Sequence, residues 1–352
     1  MVFFDTIKYH LYGDIFFIAP TFIPTKNSPY LINHFILSII RTIELIAVVF
    51  SLPVVLLHNY CLTKSAIFHP NLVRIAQVYL SGNYFAIISR LTTHLYQVRL
   101  FKFDDRDDFS KILLFIASII RSYFLMSTVV FLVEVIIERI FAFYFVADYE
   151  KKPRLWISTG ILAVTLPVTF LVTIMTMIQI IPIKNVIIAD CVMTMIFFIV
   201  FVVLYRVNVL RLHNLRAGIA HCETKNTLSI KFQLLENVRV MRLVMIAFTV
   251  GSVLTFIGIG LLGFALLVYS NQPEARQLCL ALLDLLVALS TAVGFFSFLL
   301  IFNEWRHAIR EWPLALKLCH VLRIRLNESS QTIDEHRGAT DHYFNQLRRA
   351  WE

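Results

Sequence analysis

The sequence predicts an all-α membrane protein, a bundle of seven transmembrane helices with its N-terminus outside. Three observations lead there. Hydrophobic residues make up 58% of the 352 and charged residues only 16%, where a soluble domain carries about 25% charged residues. Three runs, 155–183, 243–273 and 285–303, contain no Asp, Glu, Lys or Arg. The hydrocarbon core is about 30 Å thick, so a helix needs roughly 20 apolar residues to cross it, and only a helix satisfies its own backbone groups there. Finally, Lys and Arg are shared unequally between alternate loops.

The spans are read in order as 31–57, 72–95, 112–145, 155–180, 186–205, 243–269 and 278–302. Arg74 and Arg90 interrupt the second. The third is long for a single crossing, which implies tilt or an extension beyond the bilayer. Pro53 and Pro167 fall inside the first and fourth and are expected to kink them. The chain then divides into a short extracellular N-terminus (1–30), the bundle (31–302) and a cytoplasmic tail (303–352).

Orientation follows from basic residues. With the N-terminus outside, 19 Lys and Arg fall on the inner side and 8 on the outer. The inner segment 206–242 holds seven of them against two acidic residues. Within it, Ile230, Leu234 and Val238 recur at i, i+4 spacing, an amphipathic helix that would prolong span 6. In the tail, Trp305, Ile309, Trp312 and Leu316 form a similar stripe flanked by Arg306, Arg310 and Lys317, as in a helix lying on a membrane surface, with Pro313 breaking or restarting it.

Several function classes drop out. The net charge of +9 suggests nucleic acid, but the basic residues cluster in loops between spans and form no soluble face. The five cysteines have no CxxC spacing, which removes a disulfide framework and a zinc ribbon. Spans 3 to 7 hold no His, and no HExxH, G-x-S-x-G or P-loop occurs. No enzyme and no cofactor are expected. The first 20 residues lack the basic start and small-residue cleavage site of a secretory signal, so insertion is expected to rely on the first span. The one N-x-S/T acceptor, Asn327-Glu328-Ser329, lies in the inner tail. Cys222 and Cys319 sit in inner segments near the membrane and are candidates for S-palmitoylation, a reduced thiol being the plainer reading.

Charge at membrane depth is expensive and therefore informative. Arg41, Glu44, Arg90, Arg121, Asp190 and Asp284 fall in the outer and middle zones. They form either a ligand pocket or ion pairs between helices. Arg121 is the central pocket candidate, with Asp284, Asp190, Tyr123 and Phe124 as further members of a site bordered by spans 3, 5 and 7. Ser118, Arg121, Thr128 and Arg139 share one side of span 3 at 100° per residue. Toward the inner end of that span stands Glu134-x-x-x-Glu138-Arg139, either an ionic latch with Arg74 as partner or a snorkelling pair at the lipid interface.

Three stretches carry a family resemblance. Glu138-Arg139-Ile140-Phe141-Ala142 followed by Asp148-Tyr149-Glu150-Lys151-Lys152, the segment Ser229-Ile230-Lys231-Phe232-Gln233-Leu234-Leu235-Glu236-Asn237, and the ending Tyr343-Phe344-Asn345-Gln346-Leu347 with Trp351 resemble the nematode serpentine chemoreceptors of class epsilon, the Sre family. The resemblance implies a G-protein-coupled-receptor-like fold in the plasma membrane of a sensory neuron or its cilium. It implies a small environmental ligand, a heterotrimeric G protein and the bilayer as partners, with self-association left open. Arg139, Lys231, Arg239 and Arg242 would then face the G protein. The chain departs from the rhodopsin pattern: span 7 has no N-P-x-x-Y, span 6 has neither Trp nor Pro, and no Cys stands at the start of span 3. A seven-span ligand-gated channel subunit and a transporter are the alternatives. The transporter predicts internal repeats, and none is visible.

Overall fold

The computed structural model describes residues 8–12, 15–18, 34–64, 68–98, 100–101, 108–145, 154–217, 227–269 and 272–294. Seven long helices dominate them: α1 (His34–Lys64), α2 (Pro70–Gln97), α3 (Asp108–Tyr144), α4 (Leu155–Met177), α5 (Ile183–Arg216), α6 (Thr227–Gly263) and α7 (Pro273–Leu289). The candidate tail residues, including Cys319, and Cys222 of the α5–α6 connection lie outside the described residues.

Two features were not expected from the sequence. Lys8–Tyr12 (β1) and Ile15–Ile18 (β2) form an antiparallel hairpin in which Lys8 pairs with Ile18. The helices α6 and α7 each run on into a five-residue π-helical segment, Phe264–Val268 and Ser290–Gly294. In the first, the Tyr269 N–H reaches back five residues to the Phe264 carbonyl at 2.8 Å.

The helices close into a ring. Each of α1, α2 and α3 packs on the next, α3 packs on α4 and α5, α5 on α6, α6 on α7, and α7 returns to α1. With neighbours also in α6, α3 is the central member. Five helices, α1, α4, α5, α6 and α7, are long and apolar enough to cross a membrane by length and composition. The other two, α2 and α3, carry most of the buried charged residues, among them Arg90, Arg121, Glu134, Glu138 and Arg139.

The exterior is more apolar than the interior, the reverse of a soluble protein. On α1, Ile36, Ile39, Ile43 and Ile46 are exposed at i+3/i+4 steps, while Leu37, Glu44, Ala47 and Val48 are buried on the opposite face. The same outward stripe recurs on α5 at Ile188, Val192, Ile199 and Val203. Such faces are stable against lipid tails and not against water. Small residues let helices approach: Ala47 and Val48 of α1 meet Ala288 of α7 and Ala292 of the π segment beyond it.

The boundary of α5 departs from the expected span: the helix continues to Arg216 instead of stopping near residue 205. The extension is stabilised by packing. Leu212 and the α6 residues Leu234 and Val238 are buried together, with Val209 against them. The amphipathic stripe before span 6 therefore finds its partner on α5. Pro53 and Pro167, expected to kink α1 and α4, both lie inside continuous helices.

Candidate functional site

The connections α2–α3, α4–α5 and α6–α7 lie at one end of the bundle. Counting inward from it, Glu44, Arg90, Arg121 and Asp284 all fall about 10 to 20 Å deep at 1.5 Å per residue. Similar depth on four adjacent helices lets their side chains converge. Arg90 of α2 ion-pairs with Glu44 of α1 and reaches Asp284 of α7 at 2.9 Å, and Arg121 of α3 ion-pairs with the other oxygen of Asp284. All four are at most 7% exposed.

Two guanidiniums and two carboxylates make this cluster formally neutral, which is how charge is tolerated at membrane depth. Arg90 also donates to Thr93 Oγ1 at 3.0 Å and to Gln97 Oε1 at 3.1 Å. Both acceptors sit on the same face of α2, three and seven residues on. That i+3, i+7 spacing was readable in the sequence and was missed. Arg41 lies beside the cluster, donating to the Gln97 carbonyl at 3.3 Å. The network keeps unused capacity: Glu44 Oε2, Ser118 Oγ and Arg121 Nε are buried without a hydrogen bond among the described residues.

The candidate ligand residues do not form one site. Arg121 and Asp284 meet, but their companions are Arg90 and Glu44, so the cluster joins α1, α2, α3 and α7, not spans 3, 5 and 7. Asp190 is half-buried on α5 and makes no ion pair among the described residues. Its buried neighbour on the helix, Ile187, packs against Ala265, Leu266 and Leu280 in an apolar cluster. Tyr123 is 200° around α3 from Arg121, nearly opposite, and Phe124 turns toward α2, stacking on Tyr79 with centroids 5.8 Å apart.

Tyr123 and Phe124 instead help line a cavity of about 260 Å³ between α2, α3 and α4, along with Tyr79, Gly82, Phe170 and Glu134. Tyr123 meets Phe170 edge-on at 6.1 Å. Thr128, the half-buried member of the stripe on α3, shares a hydrogen bond with the Tyr79 hydroxyl at 3.2 Å. Ser118, Arg121 and Arg139 of that stripe are buried.

At the other end of the bundle, Arg139 donates to the carboxylate of its neighbour Glu138 at 2.7 Å, and both are buried. His69 lies 4.0 Å from Glu138 through Nδ1. That nitrogen accepts the Asn71 N–H at 3.2 Å, capping α2, so it carries no proton to give Glu138. Asn71 in turn accepts from Ser158 of α4 at 3.0 Å. The expected partner Arg74 meets neither glutamate. It sits on the exposed face of α2 and donates to Thr159 at 2.9 Å. A long side chain at a helix end takes the nearest polar group outside the apolar core. Glu134 is also apart from the pair: its carboxylate accepts from the Thr165 hydroxyl of α4.

Of the residues assigned to a G-protein face, Arg242 is exposed on α6. Lys231 and Arg239 lie on the same helix, and their side chains are outside the described residues. Among the described residues no group of three or more His, Cys, Asp and Glu is placed to hold a metal.

Comparison with known proteins adds the identity of the scaffold. The chain is 27% identical to serpentine receptor class epsilon-1 of Caenorhabditis elegans, over 97% of this chain and 96% of that one. Serpentine receptor class epsilon-21 of the same organism is 32% identical over 37% of this chain and 36% of its own. The family model for Sre G protein-coupled chemoreceptors matches residues 15–352. A match of that extent, on a ring of seven helices with an apolar exterior and a charged interior, shows that this chain belongs to the Sre family of G protein-coupled chemoreceptors.

Proposed function

We propose that this protein is a chemosensory receptor that binds a small molecule from the outer side and signals to a heterotrimeric G protein inside. The N-terminus (1–30) is extracellular and the tail (303–352) cytoplasmic, as the excess of Lys and Arg in the inner loops favours. The site of residence is the plasma membrane of a sensory neuron. The observation that carries the reading is the buried cluster Glu44–Arg90–Asp284–Arg121, which ties four helices together while leaving Arg121 Nε and Ser118 Oγ without hydrogen-bond partners among the described residues.

Such a cluster can act as a two-state element. A ligand with a carboxylate or carbonyl that reached Arg121 and Ser118 would compete with Asp284 for the guanidinium. Loss of that ion pair would loosen α3 from α7, and a ligand that binds the loosened state more tightly shifts the population toward it. The Glu138–Arg139 pair lies at the inner end of α3 and would be carried along by this motion. The prolonged α5 and α6, with Lys231, Arg239 and Arg242, frame the surface for an acidic patch of the partner.

A charge swap tests the reading. Arg121→Asp with Asp284→Arg retains one pair of opposite charges. A swapped protein that reaches the surface yet stays unresponsive supports a direct role of these groups in ligand recognition or switching. Restoration of full ligand potency makes the pair structural and removes the proposed ligand contact.

A further inference from the structure

We infer that the cavity between α2, α3 and α4 is a second, laterally entered site, which takes an apolar amine dissolved in the membrane. It is separate from the ion cluster, and the inference stands whether or not the ligand of the proposed receptor meets Arg121.

The cavity opens sideways. Phe85 and Phe170 on its rim are 61% and 49% exposed, on the belt that faces hydrocarbon. A Cβ at Gly82 would meet nothing within 4 Å, so the α2 wall recedes there for want of a side chain. Most of the lining is apolar or aromatic, from Val78, Ile119, Val130 and Leu166 to the faces of Tyr79 and Tyr123. At about 260 Å³ it lies just below the range of roughly 300–1,000 Å³ usual for small-molecule pockets. It therefore holds a short apolar body, with any longer tail passing out into the lipid.

One acidic side chain enters this wall. Glu134 comes from α3 and is 4% exposed. Its partner Thr165 stands ten residues into the 23-residue α4, near the middle of a helix just long enough to cross the bilayer. Among the described residues no Lys, Arg or His lines the cavity and Glu134 forms no ion pair. The contrast with Glu44 and Asp284 is sharp, since both of those have an arginine. The Thr165 hydroxyl supplies a hydrogen bond to Glu134 but no counter-charge, and a carboxylate at this depth recruits a cation. The apolar walls select a molecule that partitions into lipid, and the carboxylate selects its ammonium head. Carboxylate-headed lipids are excluded by like charge.

Photolabelling of the full chain in phosphatidylcholine vesicles tests this. The probes are a ten-carbon alkylamine with a terminal diazirine, and the matching alcohol and carboxylate. The amine is expected to label peptides containing Gly82–Phe85 and Tyr123–Ser127 at least fivefold more than either other probe. Glu134→Gln should reduce amine labelling to the level of the carboxylate. Gly82→Leu, which fills the cavity and leaves Glu134 intact, should block labelling to the same extent. Equal labelling by all three probes, or by amine and alcohol alike, overturns the cationic site. So does labelling within twofold of wild type in the folded variants. If Glu134→Gln does not fold, the head-group comparison and Gly82→Leu decide the matter.

Discussion

Arg90 on α2 and Asp284 on α7 meet at 2.9 Å in the interior of the bundle, each more than nine-tenths buried. Arg90 also holds Glu44, and Asp284 also holds Arg121. The two residues thus join two ion pairs into one neutral chain across four helices. Removing one member has consequences different from removing a pair.

Asp284→Ala strips Arg121 of its ion-pair partner and leaves Arg90 paired with Glu44. A buried pair broken on one side loses about 3–5 kcal/mol. Replacing Glu44 with Leu and Arg90 with Met leaves Arg121 and Asp284 still paired, and should lose less than half as much. Thermal unfolding in matched micelles gives the ranking. A double variant less stable than Asp284→Ala would mean that the four charges do not act as one neutral unit.

Topology is checked by engineered glycosylation acceptors. Sites placed near Asn27 and in the 104–108 loop should be modified, because both are read as outside. Modification between residues 211 and 225 instead would invert the protein, and the proposed receptor with it.

Lys231→Glu with Arg239→Glu should abolish ligand-driven nucleotide exchange on the G protein without lowering surface expression. The reasoning is electrostatic: two reversals turn an attractive basic patch into a repulsive one. Normal exchange in a well-expressed double variant would take these residues out of the coupling surface.

Leu234 is fully buried where the α5 and α6 extensions meet, against Leu212 and Val238. Leu234→Ala should weaken that contact by about 2–5 kcal/mol. Hydrogen exchange should then accelerate across 205–216 and 227–240 while α1 and α2 stay protected. Unaltered protection in both segments would show that the extensions are stable without each other.

The sequence by itself determined the membrane class, the number and order of the helices and the family. Those properties are written in local quantities: runs of apolar residues as long as the bilayer is thick, and short motifs such as Glu138-Arg139 and Ser229–Asn237. It also named the four residues of the ion cluster, since a charge inside an apolar run stands out without any fold. What it could not decide was which charges meet. Pairing depends on helix neighbours and rotation, which are properties of the whole ring. The return of α7 to α1 brings Asp284 within reach of Arg90, while Asp190 on α5 stays apart. Rotation about α3 likewise sends Arg121 toward α7 and Tyr123 toward α4. The length of α5 was undecided for the same reason. Residues 206–216 are polar enough to read as a loop, and they are helical because Leu212 has Leu234 to pack against. Tertiary contact turned a soluble-looking segment into structure, and the arrangement of the helices divided one expected site into an ion cluster and a cavity.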